Sequence, residues 1–125
     1  MIRLFATLAS LSGFLAVAFG AFGAHGLKAR VTPERLDVWN TAAHYHLLHS
    51  VALLALCGIL IAHPSPLLTR AAWAFVVGII VFSGSLYTLV LTDIPILGAI
   101  TPLGGLSLMA GWASCGWFAW SELGS

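Results

Sequence analysis

Long apolar stretches separated by short polar joints dominate the chain. A helix that crosses a bilayer needs about 20 mostly apolar residues. The first such run extends from about Leu4 to Ala24 and contains no charge. A second, from about Ala42 to Ala62, is interrupted only by histidines near its start, a third covers about Ala71 to Leu91, and a fourth about Leu97 to Trp120. Charges mark the joints: Arg3 before the first run, Lys28 to Asp37 after it, Arg70 before the third, Asp93 after it and Glu122 at the end. Pro64, Pro66 and Pro95 fall in the short turns, where helices should stop. The pattern predicts an all-α integral membrane protein, a four-helix transmembrane bundle forming a single domain over residues 1–125.

The joint after the first run predicts one more element. Thr32 is placed as an N-cap, Pro33 suits the first helical position, and Leu36, Trp39 and Ala43 share a face. We therefore expect a short amphipathic helix between spans one and two, with Trp39 as an anchor at the membrane boundary. Arg3, an apolar stretch and the small residues Ala21 to Ala24 also resemble a secretory signal. That apolar stretch exceeds the 7–15 residues usual for a signal core, so four retained spans are expected.

Small residues recur at helical spacing in three of the runs: Gly13, Ala16, Gly20 and Gly23; Ala71, Ala74 and Gly78; Gly104, Ser107, Gly111 and Ser114. Lipid gives no hydrophobic drive for helix association, so close backbone approach through small side chains takes its place. A compact antiparallel bundle follows.

Composition sharpens this picture. Of 125 residues, 60% are hydrophobic and only 7% charged. Soluble domains carry about 25% charged residues, so a soluble domain is excluded. A net charge of +1 excludes nucleic acid as a partner, since phosphate binding needs clustered Lys and Arg. Cys57 and Cys115 both lie in apolar runs and read as buried thiols rather than a disulfide. Lys28, Arg30 and Arg35 on one side against Arg3 and Arg70 on the other favour a cytoplasmic first loop by a single charge, with Glu34 and Asp37 beside the basic residues, and do not fix the orientation.

Antiparallel threading brings the end of span one, the start of span two, the end of span three and the start of span four to one membrane face. His25, His44, Tyr45, His46, His49, Tyr87, Thr88, Thr92, Asp93 and Thr101 all collect there. The other face has His63, Ser65, Arg70, Ser121 and Glu122. His46 and His49 share a helix face, and with a span starting near Ala42, His49 lies about 10 Å along it. Ser83 and Tyr87, one turn apart, and Thr101 supply bonding partners. Intramembrane titratable groups are functional candidates. Three readings remain open: an interhelical hydrogen-bond network that fixes the bundle; a site for a lipid headgroup, a quinone or a partner subunit; or a metal or haem held by His25, His46 and His49. Imidazole suits Zn, Cu and Fe, although a lone i,i+3 pair needs a third ligand from another helix.

Catalytic patterns are missing from the sequence. No carboxylate lies within a span, and Gly20 to Gly26 lacks the strand that a dinucleotide loop requires. Ser83-Gly84-Ser85 lacks a base and acid arrangement. A small ion-coupled exporter would need a membrane-embedded acid. The residues thus predict no enzyme, no catalytic residue, no cofactor and no resident metal.

Four ordered motifs carry a family resemblance: Gly20-Ala-Phe-Gly-Ala-His-Gly-Leu27, Thr41-Ala-Ala-His-Tyr-His-Leu-Leu-His49, Phe82-Ser-Gly-Ser-Leu-Tyr87 and Ile100-Thr-Pro-Leu-Gly-Gly105. Together they resemble the family catalogued as domain of unknown function 423, which includes the transmembrane protein 256 group. The resemblance covers almost the whole chain. It implies a small multi-pass protein of the inner (plasma) membrane with no assigned reaction. It singles out His25, Tyr45, His49, Ser83, Tyr87, Thr101 and Pro102. Members often carry Gln in place of His46 and Gly in place of Asp93, which suits hydrogen bonding at position 46 better than metal ligation. The expected role is a non-enzymatic accessory or assembly component of a membrane complex, in contact with the bilayer and with a membrane-protein partner or a second copy of itself. The alternative is a bundle that binds a lipid, quinone or metal at its polar end through His25, Tyr45, His46, His49, Ser83, Tyr87 and Thr101.

Overall fold

The computed structural model describes residues 1–124, so Ser125 lies outside the described residues. Helix α1 (Ile2–Phe22) runs on through a π-helical turn at Gly23–Leu27; α2 spans Pro33–Ala62. The third rod comprises α3 (Pro66–Gly78), a π-helical turn at Ile79–Ser83 and α4 (Gly84–Thr92). A 3-10 turn at Pro95–Ala99 leads into α5 (Thr101–Glu122). Among the described residues, four rods are long and apolar enough to cross a membrane: Ile2–Leu27, Pro33–Ala62, Pro66–Thr92 and Pro95–Glu122.

Local chemistry accounts for the ends. The Thr32 and Ser65 hydroxyls accept from the amides of Arg35 and Leu68, each with proline at the first helical position. Asp93 closes α4 in the left-handed region, at φ 54°. That conformation favours glycine, which is the residue the family resemblance sets at this position.

The segment expected as a separate short helix is instead the beginning of α2. No proline or glycine lies between Pro33 and Gly58, so nothing interrupts the backbone ladder. The resulting 30-residue helix is about 45 Å long, against about 30 Å of hydrocarbon. His46 and His49 consequently sit near the middle of α2 rather than close to its start.

The rods zigzag in chain order. α1 packs along α2, α2 packs on the third rod, and that rod packs on α5. The small-residue stripes make the last interface. A Cβ on Gly104 would lie 2.3 Å from the Phe82 amide nitrogen, and one on Gly111 would lie 2.6 Å from the Phe75 ring. Ser107 donates to the Ala74 carbonyl across the same contact, at 2.8 Å. In the first stripe, Ala16 is buried and Gly23 lies under Trp39, but nothing packs within 4 Å of a Cβ on Gly20. Large apolar side chains point outward around the molecule, among them Phe14, Ile61, Ile80, Leu103 and Met109, as a lipid-facing surface requires.

α1 and the third rod do not pack backbone to backbone. Edge-to-face aromatic pairs bridge them instead, Phe5 with Trp73 near one membrane face and Phe19 with Tyr87 near the other, each with ring centroids 5.0 Å apart. Between the two bridges lies a groove.

Candidate functional site

The groove has a volume of about 330 Å³. Leu11, Leu15 and Phe19 line one wall, and Val76, Ile80 and Gly84 the other. Its polar atoms come from Ser12, His46, Ser83 and Tyr87. The π turn at Ile79–Ser83 borders it directly. Such turns are uncommon and frequent at functional positions.

His46 organises the polar side. Its Nδ1 lies 3.0 Å from the Tyr87 hydroxyl and its Nε2 3.0 Å from the Ser12 hydroxyl, so one ring joins α2 to α1 and to α4. Ser12 is in turn 2.6 Å from the Ser50 hydroxyl, which donates to the His46 carbonyl at 2.7 Å. Ser83, at the end of the π turn, donates to the Ala42 carbonyl at 2.8 Å. The ring of Tyr87 is wedged between Phe19 and Trp39, at centroid distances of 5.0 and 4.6 Å.

His49 belongs to a different surface of α2. Its Nδ1 is 2.8 Å from the Tyr45 carbonyl, and its Nε2 accepts the Trp112 indole N–H at 2.9 Å. An indole only donates, so Nε2 is bare and Nδ1 carries the proton. The ring packs against Phe75 and is buried. Both nitrogens of His49 are therefore used within the protein, and it does not line the groove. Tyr45 stacks parallel to His49 and packs on Phe82, with its side chain half exposed. Thr101 pairs with the Ser85 hydroxyl at 2.6 Å and fastens the start of α5 to α4.

The polar end expected from threading thus resolves into separate groups. His46, Ser83 and Tyr87 share the groove, Tyr45 and His49 share another face of α2, and Thr101 stands in a third place. His25 sits exposed in the π turn after α1 and joins none of them. The His25, His46 and His49 metal triad is consequently not assembled, and among the described residues no three His, Cys, Asp or Glu side chains come together. Cys57 and Cys115 are unpaired.

Trp39 corrects another expectation. It is 2% exposed, and its indole donates to the Phe19 carbonyl at 2.8 Å. Gly23 makes room for this ring, since a Cβ there would lie 2.6 Å from Trp39 Cδ1. It is an interhelical clamp, not a boundary anchor. Ser12, Ser50 and Trp112 escaped the sequence reading altogether. Hydroxyls at 12 and 50 inside apolar runs, with 50 one turn after His46, were the available signal. Nothing in the sequence pairs Trp112 with His49.

Comparisons with known proteins agree with the resemblance. The family model described as "Protein of unknown function (DUF423)" matches residues 19–105, a stretch that holds every expected site residue but leaves out Ser12 and Trp112. A UPF0382 membrane protein of Staphylococcus aureus (strain bovine RF122 / ET3-1) is 46% identical over 110 residues, covering 88% of this chain and 89% of the relative. The UPF0382 membrane protein YwdK of Bacillus subtilis (strain 168) is 43% identical over 112 residues, covering 88% and 90%. No solved structure matches the chain. With a family model matched over more than half its length and relatives above 40% identity, this multi-pass membrane protein belongs to the DUF423 family of proteins of unknown function.

Proposed function

We propose that the protein is a non-enzymatic binding protein of the inner (plasma) membrane, which holds a membrane-dissolved small molecule in the groove between α1 and the third rod. The observation that carries this reading is the groove itself. It is apolar along its walls, carries a cluster of polar side chains at one point, and at about 330 Å³ falls in the size range of small-molecule sites. All-helical spans suit the inner membrane, since barrel strands are the outer-membrane solution. Of the ligand classes expected from sequence, lipid and quinone remain. The metal class is dropped, because both ring nitrogens of His46 and of His49 already have partners.

An accessory or assembly role in a larger complex is the second reading. The outward face of α5 favours it, with Leu106, Met109 and Trp117 all more than half exposed.

Native mass spectrometry of the protein extracted from its own membrane in mild detergent separates the two. A stoichiometric small adduct that disappears in Gly84→Leu, which places a side chain in the groove, supports the first reading. A bare chain with a stoichiometric protein partner overturns it in favour of the second.

A further inference from the structure

We infer that the groove selects hydrogen-bond donors: its ligand is an uncharged amphiphile with a hydroxyl head, and a molecule of the same shape offering only ether, ester or quinone oxygens is rejected. The inference rests on the groove being a ligand site and follows from where each polar proton goes.

The assignment starts at Ser50. Its hydroxyl lies 2.7 Å from the His46 carbonyl, which can only accept, so the Ser50 proton is spent there. The 2.6 Å contact between Ser12 and Ser50 must then use the Ser12 proton. Ser12 has no second proton, so its contact with His46 Nε2 is made by the imidazole N–H. A neutral imidazole has a single N–H. Nδ1 is therefore bare and receives the phenolic proton of Tyr87. The four groups form one directed chain: Tyr87 to His46, His46 to Ser12, Ser12 to Ser50, and Ser50 to the His46 carbonyl. The Ser83 proton is committed separately to the Ala42 carbonyl.

Every side-chain donor that borders the groove is thus consumed inside the protein. The groove is apolar over nearly all its surface, and the small polar area a guest meets is made of lone pairs, from Tyr87 Oη, Ser83 Oγ and the second one of Ser12 Oγ. A guest carrying O–H completes its own hydrogen bond and leaves the chain intact. A guest with acceptors alone faces acceptors and buries its oxygen unpaired, which is the costly outcome. An ammonium head also donates, but none of the groove-lining residues is a carboxylate, and a charge there would stand unpaired in an apolar setting. The side open to lipid leaves room for an apolar tail to run outward. A lipid alcohol and a reduced quinone both have this chemistry.

The test uses the purified full-length chain and two probes, 4-heptylphenol and 4-heptylanisole, in the second of which a methyl group replaces that proton. They are supplied at matched mole fraction in the micelle, and bound probe is read by native mass spectrometry. The expected result is saturable one-to-one binding of the phenol, at least about tenfold tighter than the anisole, for one hydrogen bond gained or lost. Gly84→Leu should abolish it, since Gly84 lines the groove and a Cβ there meets nothing within 4 Å. Ser12→Ala strips the acceptor from the His46 N–H and exposes a donor, so preference should shift toward the anisole. Equal saturable binding of both probes, lost in Gly84→Leu, overturns donor selection but leaves the groove as a site. Binding of neither probe overturns both. Should the route between a lipid alcohol and a reduced quinone matter, a diacylglycerol and a quinol with a short tail, compared in the same assay, distinguish the two sources.

Discussion

At position 46 a single side chain must do two opposite things, accept a proton from Tyr87 and donate one to Ser12. Neutral imidazole does this with its two nitrogens. A primary amide does the same with one oxygen and one NH₂ group, so glutamine can take this place. His46→Gln should therefore fold with a stability within about 1 kcal/mol of the parent, because interhelical hydrogen bonds in membranes average about 0.6 kcal/mol and both are kept. His46→Leu loses both and leaves the Tyr87 hydroxyl unpaired in the interior, for an expected loss of about 1–3 kcal/mol. Reversible unfolding in mixed micelles measures the difference. Equal losses in the two variants would show that the ring acts by packing and not by its paired nitrogens. His49 makes a useful contrast. Its Nδ1 donates and its Nε2 accepts, the reverse arrangement to His46, so two histidines one turn apart hold opposite tautomers because their partners differ.

At the level of the helices, close approach decides which substitutions are tolerated. The Gly104 backbone lies directly on that of Phe82, so a methyl group there cannot be accommodated by turning a side chain and must separate α5 from the third rod. Gly104→Ala should cost about 1–3 kcal/mol as an overpacked contact. Gly116→Ala, on the same helix but with open space at its Cβ, should be neutral or stabilise by up to about 1 kcal/mol through helix propensity. Paired Tm measurements check this, and a Gly104→Ala protein as stable as its parent would contradict the interface. Asp93 supplies a second case. It ends α4 in the left-handed region and reaches Arg35 on the first turn of α2 at 2.9 Å, with its own side chain largely exposed. Asp93→Gly trades an exposed ion pair of about 0.2–1 kcal/mol for a residue at ease in that conformation, so the net change should be within about 0.5 kcal/mol. Asp93→Ala loses the pair and keeps the strain, so it should be the less stable of the two. Added salt should lower the stability of the parent relative to Asp93→Gly, since only the parent has the exposed pair that salt screens.

The same helices show what the sequence could and could not disclose. Hydropathy located four spans because each is a continuous apolar run bounded by charge or proline, and these are properties of a segment by itself. The small-residue stripe on α5 was legible for a related reason: its spacing selects a face whatever the partner. The end of α1 was not legible in the same way. The wide turn at Gly23–Leu27 carries His25 out of the site, and no residue pattern announces that extra residue per turn. Trp39 was misplaced because a tryptophan beside charged residues usually marks a boundary. Here the length of α2 and the gap at Gly23 draw it inside. Tyr87 and His46 were found as polar outliers within apolar runs, whereas their link through Ser12 depends on how α1 rotates against α2.

For the molecule as a whole, the zigzag order of the rods leaves an opening that a closed bundle would not have. α1 rests on α2, and the Phe5–Trp73 and Phe19–Tyr87 pairs bridge it to the third rod, leaving between these bridges a space that lipid or a guest can enter. A void of this kind forfeits dispersion contacts on every wall, and the loss grows with its volume. Filling it from within should then be worth energy only when nothing else fills it. Gly84→Leu puts four apolar carbons into the groove and removes a glycine from a helix. In delipidated micelles it should raise stability by about 1–3 kcal/mol, the sum of cavity filling and propensity. In native lipid, or with the hydroxylated probe bound, the parent already has its walls covered, and the cavity part of that gain should vanish while the propensity part of about 1 kcal/mol remains. Thermal unfolding of both proteins in the two environments provides the comparison. An advantage of equal size in both would mean that the groove stays empty in the membrane, and a groove that neither lipid nor ligand enters cannot be what this fold holds open for binding.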